Sequence, residues 1–337
     1  MAMGATILGC EGTTLSASEK AFFRAADPFG FIVFARNIDT PEQLRRLTAS
    51  LREAVGRDAP VLVDQEGGRV QRLRAPYWRE WLPPLEQMAR VAPEKAGRAM
   101  EIRFRLIADE LRAVGIDANC APTADIAIEA THPFLKNRCY GNALQPVVTA
   151  ASAAVRGLLA GGVLPVVKHM PGHGRGTADS HLHLPTVTED AATLTATDFA
   201  AFRALNDLPM AMTAHIVYTA FDPDHPATQS RRMIELIRRE IGFNGLLITD
   251  DLSMEALAGT LPERASASVK AGCDIALYCK AEMPDAEAVV AAAGALTPTG
   301  QGRAAKALSQ RHAPRQIDIP ALEAEFEALL NDGQGHG

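Results

Sequence analysis

The chain has few aromatic residues (5%) and no block of consecutive Lys or Arg, although 34 of its 337 residues are basic. Nucleic-acid and anionic-membrane surfaces need a concentrated basic patch, so with a net charge of −6 neither partner is expected. No apolar run reaches the roughly 18 residues that a membrane span requires. Met1–Gly12 has no basic n-region and too short an apolar stretch for a signal peptide, which predicts a cytoplasmic protein. The five cysteines (Cys10, Cys120, Cys139, Cys273, Cys279) form no C-x-x-C pair. Their odd number and loose spacing argue against a disulfide frame or zinc knuckle and fit reduced thiols.

What the chain has in quantity is aliphatic residues. At 47% hydrophobic and 22% charged it can bury a large core. Eight short apolar runs stand out: Thr6–Gly9, Phe29–Phe34, Pro60–Asp64, Ile116–Ala121, Leu164–Lys168, Met210–His215, Leu246–Asp250 and Asp274–Tyr278. Most are apolar almost without interruption, as parallel strands buried on both faces must be. Helix signals lie between them. Thr40 reads as an N-cap with Pro41 at the first position and Gln43 completing a capping box; Leu44, Leu47, Leu51 and Val55 share a face, and Gly56 stops the helix. Pro93 opens another, with Met100, Phe104, Ile107 and Leu111 as its stripe and Gly115 as its stop. Ser230 caps a third, which ends at Gly242. The alternation predicts a single-domain TIM-type (β/α)8 barrel over residues 1–330, in preference to an open doubly wound sheet. Pro298–Pro314 reads as polar and loose, and residues 331–337 as a flexible tail.

In such a barrel the side chains at the C-terminal ends of the strands converge on one mouth. Four of the runs end in polar groups: Asp64, followed by Gln65–Arg72; Lys168-His169; His215; and Thr249-Asp250-Asp251. The densest segment is Lys168–Pro185, which holds His169, His173, His181 and His183 among glycines. Within it, Asp179 lies two residues from His181. A carboxylate so placed can orient an imidazole and stabilise its charged form, making a proton carrier near neutral pH. His181-Leu182-His183 also reads as a metal pair of a barrel hydrolase, although it follows a Gly-rich stretch rather than lying on a strand. An ionised Asp250 at the mouth can attack or stabilise a cationic carbon, while Asp251 caps a helix that begins at Ser253. Asp64, Arg72, Arg138, Lys168 and His169 suit a hydroxyl-rich ligand. Gly67-Gly68 lacks the spacing of a nucleotide cradle.

Four segments, Val63–Arg72, Lys168–Gly174, Asp179–His181 and Ile248–Met254, together resemble the bacterial β-N-acetylhexosaminidases of glycoside hydrolase family three, and most of all their single-domain cytoplasmic members of peptidoglycan recycling. The likeness runs in the same order from about Ile7 to Cys279. It implies a retaining two-step mechanism, with Asp250 as nucleophile and His181, partnered by Asp179, as proton donor and acceptor on a mobile loop. It also implies that Asp64, Arg72, Arg138, Lys168 and His169 bind a terminal N-acetylglucosamine of anhydro-muramyl peptides. No metal or organic cofactor is expected, and a monomer is. Met170 stands where Phe is more usual, and Cys139 where Ser is.

Other readings keep the same residues. The sugar could pass to phosphate, since a neutral histidine repels it less than a carboxylate would. The substrate's acetamido oxygen could attack in place of Asp250. A non-catalytic sugar binder would not need Asp179, His181 and Asp250 together.

Overall fold

The computed structural model describes residues 3–176 and 184–332. Eight parallel strands close into a barrel: β1 (Gly4–Gly9), β2 (Pro28–Val33), β3 (Val61–Val63), β4 (Ala118–Asn119), β5 (Leu164–Met170), β6 (Met210–Thr213), β7 (Leu246–Asp251) and β8 (Ile275–Tyr278). Each pairs with its neighbours in the chain, and β8 returns to β1 through the register Thr6↔Ala276 to Leu8↔Tyr278. Closure leaves no sheet edge, which an open sheet would have had to cover.

All eight apolar runs are strands, with shifted ends. The ladder between β3 and β4 stops at Val63↔Asn119 for a local reason. The Asn119 side chain takes both the N–H and the C=O of Gln65, each at 3.0 Å, in place of a further backbone rung.

Helices cover the barrel as their apolar stripes require. In Pro41–Val55, Thr40 Oγ1 accepts the Gln43 N–H, and Leu44, Leu47 and Leu51 are buried. Gln43 does not complete the predicted box; its Oε1 accepts the Asp39 N–H instead (2.9 Å). Pro93–Ala113 buries Met100, Phe104, Ile107 and Leu111. The Ala-rich helix Leu144–Ala160 lies against it so closely that a Cβ on Gly157 would sit 2.3 Å from Glu101 O. Ser230 caps Arg231–Leu236, which continues as a π-helical turn to Ile241 and stops at Gly242 (φ +82°).

Two expectations are corrected. The stretch from Pro298 is not loose: Thr297 Oγ1 accepts the Gly300 N–H (3.1 Å) and caps a helix, Pro298–Leu308, that buries Ala304 and Ala307. Gly300 and Gly302 dilute the apolar pattern there, but packing outweighs weak propensity. Asn331 and Asp332 belong to the helix Ile319–Asp332 rather than to a tail, and residues 333–337 lie outside the described residues. Phe326 of that helix meets Trp81 edge-on at 5.6 Å.

At the N-terminal end of the barrel, two buried carboxylates staple helices to strands. Asp117 accepts the Val61 N–H (2.8 Å) and Arg311 (2.9 Å). Asp274 accepts the Leu247 N–H (2.9 Å), Arg238 (2.7 Å) and Arg303 (2.9 Å). All five cysteines are buried and free. Among the described residues no helix is long and apolar enough to cross a membrane.

Two glycines give opposite expectations. Gly157→Ala forces helix backbones apart and lowers unfolding free energy by about 1–3 kcal/mol. Gly302→Ala, with nothing near its added Cβ, raises it by up to about 1 kcal/mol. Urea titration of both variants reads the signs directly.

Candidate active site

The C-terminal strand ends open into a cavity of about 300 Å³ lined by Asp64, Arg72, Arg138, Lys168, His169 and Asp250, among others. Six of the eight site residues read from the sequence therefore meet in one place. Asp179 and His181, like His183, lie outside the described residues.

The loop after β3 is a tight antiparallel hairpin, Gln65–Gly67 against Val70–Gln71. It turns at Gly67 (φ +109°) and Gly68 (φ +58°), conformations that suit glycine. A Cβ on Gly67 would also occupy the place of the Arg103 guanidinium, 1.9 Å away. Arg103 is fully buried and donates to Glu66 O (2.6 Å) and Leu82 O (2.7 Å), fixing the hairpin to the barrel wall. Gln65 Oε1 accepts the N–H groups of Arg72 (2.9 Å) and Leu73 (3.1 Å), which turns Arg72 back over Asp64.

From there a row of alternating charge crosses the floor. Asp64 accepts from Arg72 Nη2 (3.1 Å) and from Lys168 Nζ (2.7 Å). Lys168 also lies 2.7 Å from Glu66 Oε1. Glu66 takes Arg138 in a two-pronged contact, from Nε at 2.9 Å and Nη2 at 2.8 Å. Arg138 Nη2 stands 3.3 Å from His169 Nε2, and His169 Nδ1 stands 2.8 Å from Asp125 Oδ2. Asp125 Oδ1 accepts the His173 N–H (2.6 Å), so one buried carboxylate sets both the ring and the chain beyond it.

Burial by itself would raise every one of these carboxyl groups. For Asp64 the charges of Lys168 and Arg72 outweigh it, and the group lies well below the usual carboxylate range. Glu66, opposed by burial but held by Arg138 and Lys168, is brought down to about 2. Burial would lower Lys168, yet Asp64 and Glu66 hold it above its ordinary value, so the ammonium persists. Asp250 is also pushed up by burial, and His169, His215 and the Asp251 N–H together leave it below its ordinary value. It is ionised at neutral pH. Burial lowers His173 to about 4, so that its ring is neutral, and lowers His215 below its ordinary value.

The two adjacent aspartates at the end of β7 differ in what they touch. Asp250 Oδ1 accepts the Asp251 N–H (2.8 Å). The Asp251 carboxylate is taken up by Ser253 N (3.0 Å), Ser253 Oγ (2.6 Å) and Cys279 N (3.2 Å), which closes a turn at Ser253 where a helix was expected; the next helix begins only at Leu261. His215 ends β6 as expected but does not line the cavity. It is completely buried, with Nδ1 2.8 Å from Thr228 Oγ1 and Nε2 donating to Asp251 O at 3.1 Å, beneath the end of β7.

Glu66 and Asp125 were not singled out from the sequence. Glu66 sat inside a motif read for its neighbours. Asp125 had one available signal: it is a lone acid between Ala124 and Ile126, just past a strand. The assembled site offers paired carboxylates and cations to vicinal hydroxyls and amides, beside an ionised carboxylate that can meet an electron-poor carbon.

Comparison with known proteins agrees with this geometry. Residues 16–306 match the glycosyl hydrolase family 3 N-terminal domain. A β-hexosaminidase of Alkalilimnicola ehrlichii is 39% identical over 83% of this chain and 81% of its own. One from Pseudomonas aeruginosa (strain LESB58) is 36% identical over 89% of both. The crystal structure of NagZ from Neisseria gonorrhoeae in complex with N-trifluoroacetyl-D-glucosamine superposes with a TM-score of 0.82, at 32% identity, over 99% of this chain and 98% of that one.

Glu66→Gln leaves two buried cations undercompensated and lowers stability at neutral pH by about 3–5 kcal/mol. The sign with pH follows from a folded value near 2 against an ordinary 4.5. The contribution is complete above the ordinary value and is lost as pH falls through the folded one. Urea titrations at a series of pH values will show the deficit of the variant shrinking in acid; a constant deficit contradicts this account.

Proposed function

We propose, from the premise that this chain belongs to glycosyl hydrolase family 3 and is a β-hexosaminidase-type glycoside hydrolase, that it is an exo-acting, retaining β-N-acetylglucosaminidase. Its substrates are β-linked muropeptide-type glycans, cleaved in the cytoplasm during peptidoglycan recycling, and it works as a monomer. The observation that carries the reading is an ionised Asp250 in the same cavity as the row from Arg72 to His169. The N-acylated glucosamine in the solved Neisseria relative supports the choice of sugar.

Asp64, Arg72, Arg138, Lys168 and His169 hold the terminal ring by its hydroxyls. Their charges are already paired with one another, so binding needs little rearrangement. An Asp250 oxygen forms a bond to the anomeric carbon as the bond to the leaving oxygen breaks, and His181 gives that oxygen its proton. Water then loses a proton to His181 and attacks the same carbon, releasing Asp250 and the sugar with its configuration retained. Asp179 stabilises the imidazolium in both steps. A histidine here replaces the second carboxyl group that retaining glycosidases usually carry.

His181→Ala slows hydrolysis of a glycan substrate by about 10²–10⁴, the usual worth of general acid–base help. An aryl glycoside with an acidic leaving group recovers much of the first step, which no longer needs the proton. Asp250→Ala loses more and is not recovered by that substrate. Mass spectrometry after incubation with a slow fluorinated N-acetylglucosaminyl donor will find the sugar on the peptide containing Asp250. Rescue failing in a folded His181→Ala would remove His181 from its role.

A further inference from the structure

Asp250 stands where its strand leaves the barrel ladder. The register of β7 with β6 ends at Ile248↔Met212. On the other side it passes from Ile248↔Ile275 to Asp251↔Leu277, so β7 advances three residues while β8 advances two. The extra residue makes a bulge, a device that re-aims a side chain and interrupts the ladder. Neither Thr249 nor Asp250 has a register partner on β6 or β8.

Side chains take over from the ladder. Toward β8, Thr249 Oγ1 accepts the Leu277 N–H (2.9 Å). Toward β6, His215 Nε2 donates to Asp251 O (3.1 Å). A carbonyl only accepts, so Nε2 carries a proton in either charge state of the ring. The imidazole is itself fixed. It is completely buried, and its Nδ1 lies 2.8 Å from Thr228 Oγ1. Thr228 Oγ1 in turn lies 3.0 Å from Ala214 O and 2.8 Å from Thr213 Oγ1, and Cys273 Sγ donates to Thr228 O (3.5 Å).

Asp251 is thus held at its carbonyl by His215 and at its carboxylate by Ser253 and Cys279. The consequence falls one residue back. The Asp251 N–H bonds Asp250 Oδ1 (2.8 Å), and among the described residues Asp250 Oδ2 accepts no hydrogen bond. A residue clamped at both ends aims its N–H in one direction, and the free carboxylate oxygen follows.

We propose that His215 is a positioning residue for the first covalent step: by holding Asp251 O it fixes the N–H that orients Asp250, so that Oδ2 faces the anomeric carbon. This rests on the glycosidase reading above. His215 lies outside the cavity and touches no sugar. Its loss therefore slows bond formation and leaves binding as it was, because near-attack geometry is sensitive to a displacement of about 1 Å.

The slow fluorinated N-acetylglucosaminyl donor, with fluoride at its anomeric carbon, isolates that step. Oδ2 bonds to the carbon, fluoride leaves with the electron pair of the C–F bond, and no proton from His181 is needed. His215→Leu will lower the saturating rate of Asp250 labelling by about 10–100-fold, with half-saturation at the wild-type donor concentration. His215→Gln, whose amide N–H can replace the Nε2 proton, will recover most of that rate. Wild-type labelling by His215→Leu overturns the proposal alone. So does a loss that Gln does not relieve, or one that appears only in the half-saturating concentration. Should either variant not fold, Thr228→Val, which removes the hydroxyl beside Nδ1, decides: slower labelling at unchanged half-saturation upholds the role, and wild-type labelling overturns it. A wild type that is not labelled and cleaves no aryl β-N-acetylglucosaminide overturns the glycosidase reading and this proposal with it.

Discussion

The ammonium of Lys168 is buried in the end of a barrel strand and cannot be left uncompensated there. Only 2% of the residue is exposed, and an unpaired charge in such a place costs several kcal/mol. Asp64 and Glu66, each 2.7 Å from Nζ, answer that demand, and much of the mouth follows from it. For both carboxylates to reach one ammonium, the chain after β3 must turn within the space of Gly67 and Gly68. The turn in turn fits around Arg103. Glu66 has a second face, which Arg138 fills, and Arg138 reaches His169. The loops after β3, β4 and β5 are thereby tied together by charge rather than by an apolar core.

The same chemistry serves a different end at the other side of the barrel. Asp117 and Asp274 precede β4 and β8, each bonding a backbone N–H of a neighbouring strand and arginines from outside the sheet. Those carboxylates are fully used by the fold. At the C-terminal end, Asp251 is likewise consumed by Ser253 and Cys279, while Asp250 stays available to the cavity. Two neighbouring residues of identical type thus differ because their surroundings differ. His215 contributes from below by bonding Asp251 O, so a residue outside the cavity sets the backbone beside the ionised carboxylate.

The barrel was legible because its signal is repeated: eight apolar runs, each bounded by turn and cap residues, leave few other arrangements. Strand ends were less legible, since Asn119 ends a ladder with its side chain. The helix Pro298–Leu308 was hidden by Gly300 and Gly302, whose weak propensity gave no hint of the burial of Ala304 and Ala307. In the site, Asp64, Lys168, His169 and Asp250 could be read from their places at the ends of apolar runs. Arg138 could not be read from its loop alone, and Glu66 and Asp125 were passed over. Each of these three makes its contacts far along the chain; Arg138 and Glu66 are 72 residues apart.

Local patterning and residue chemistry are properties of neighbouring residues, so the amino-acid order by itself determined the (β/α) alternation and the polar strand ends. It also displayed the family's motifs in their order. Which carboxylate is spent on structure, which cation is held by two acids and which side chains line the cavity are decided by burial and charge pairing between distant segments. Those forces act only once the ring of strands has closed and brought the loop ends within a few ångströms of each other.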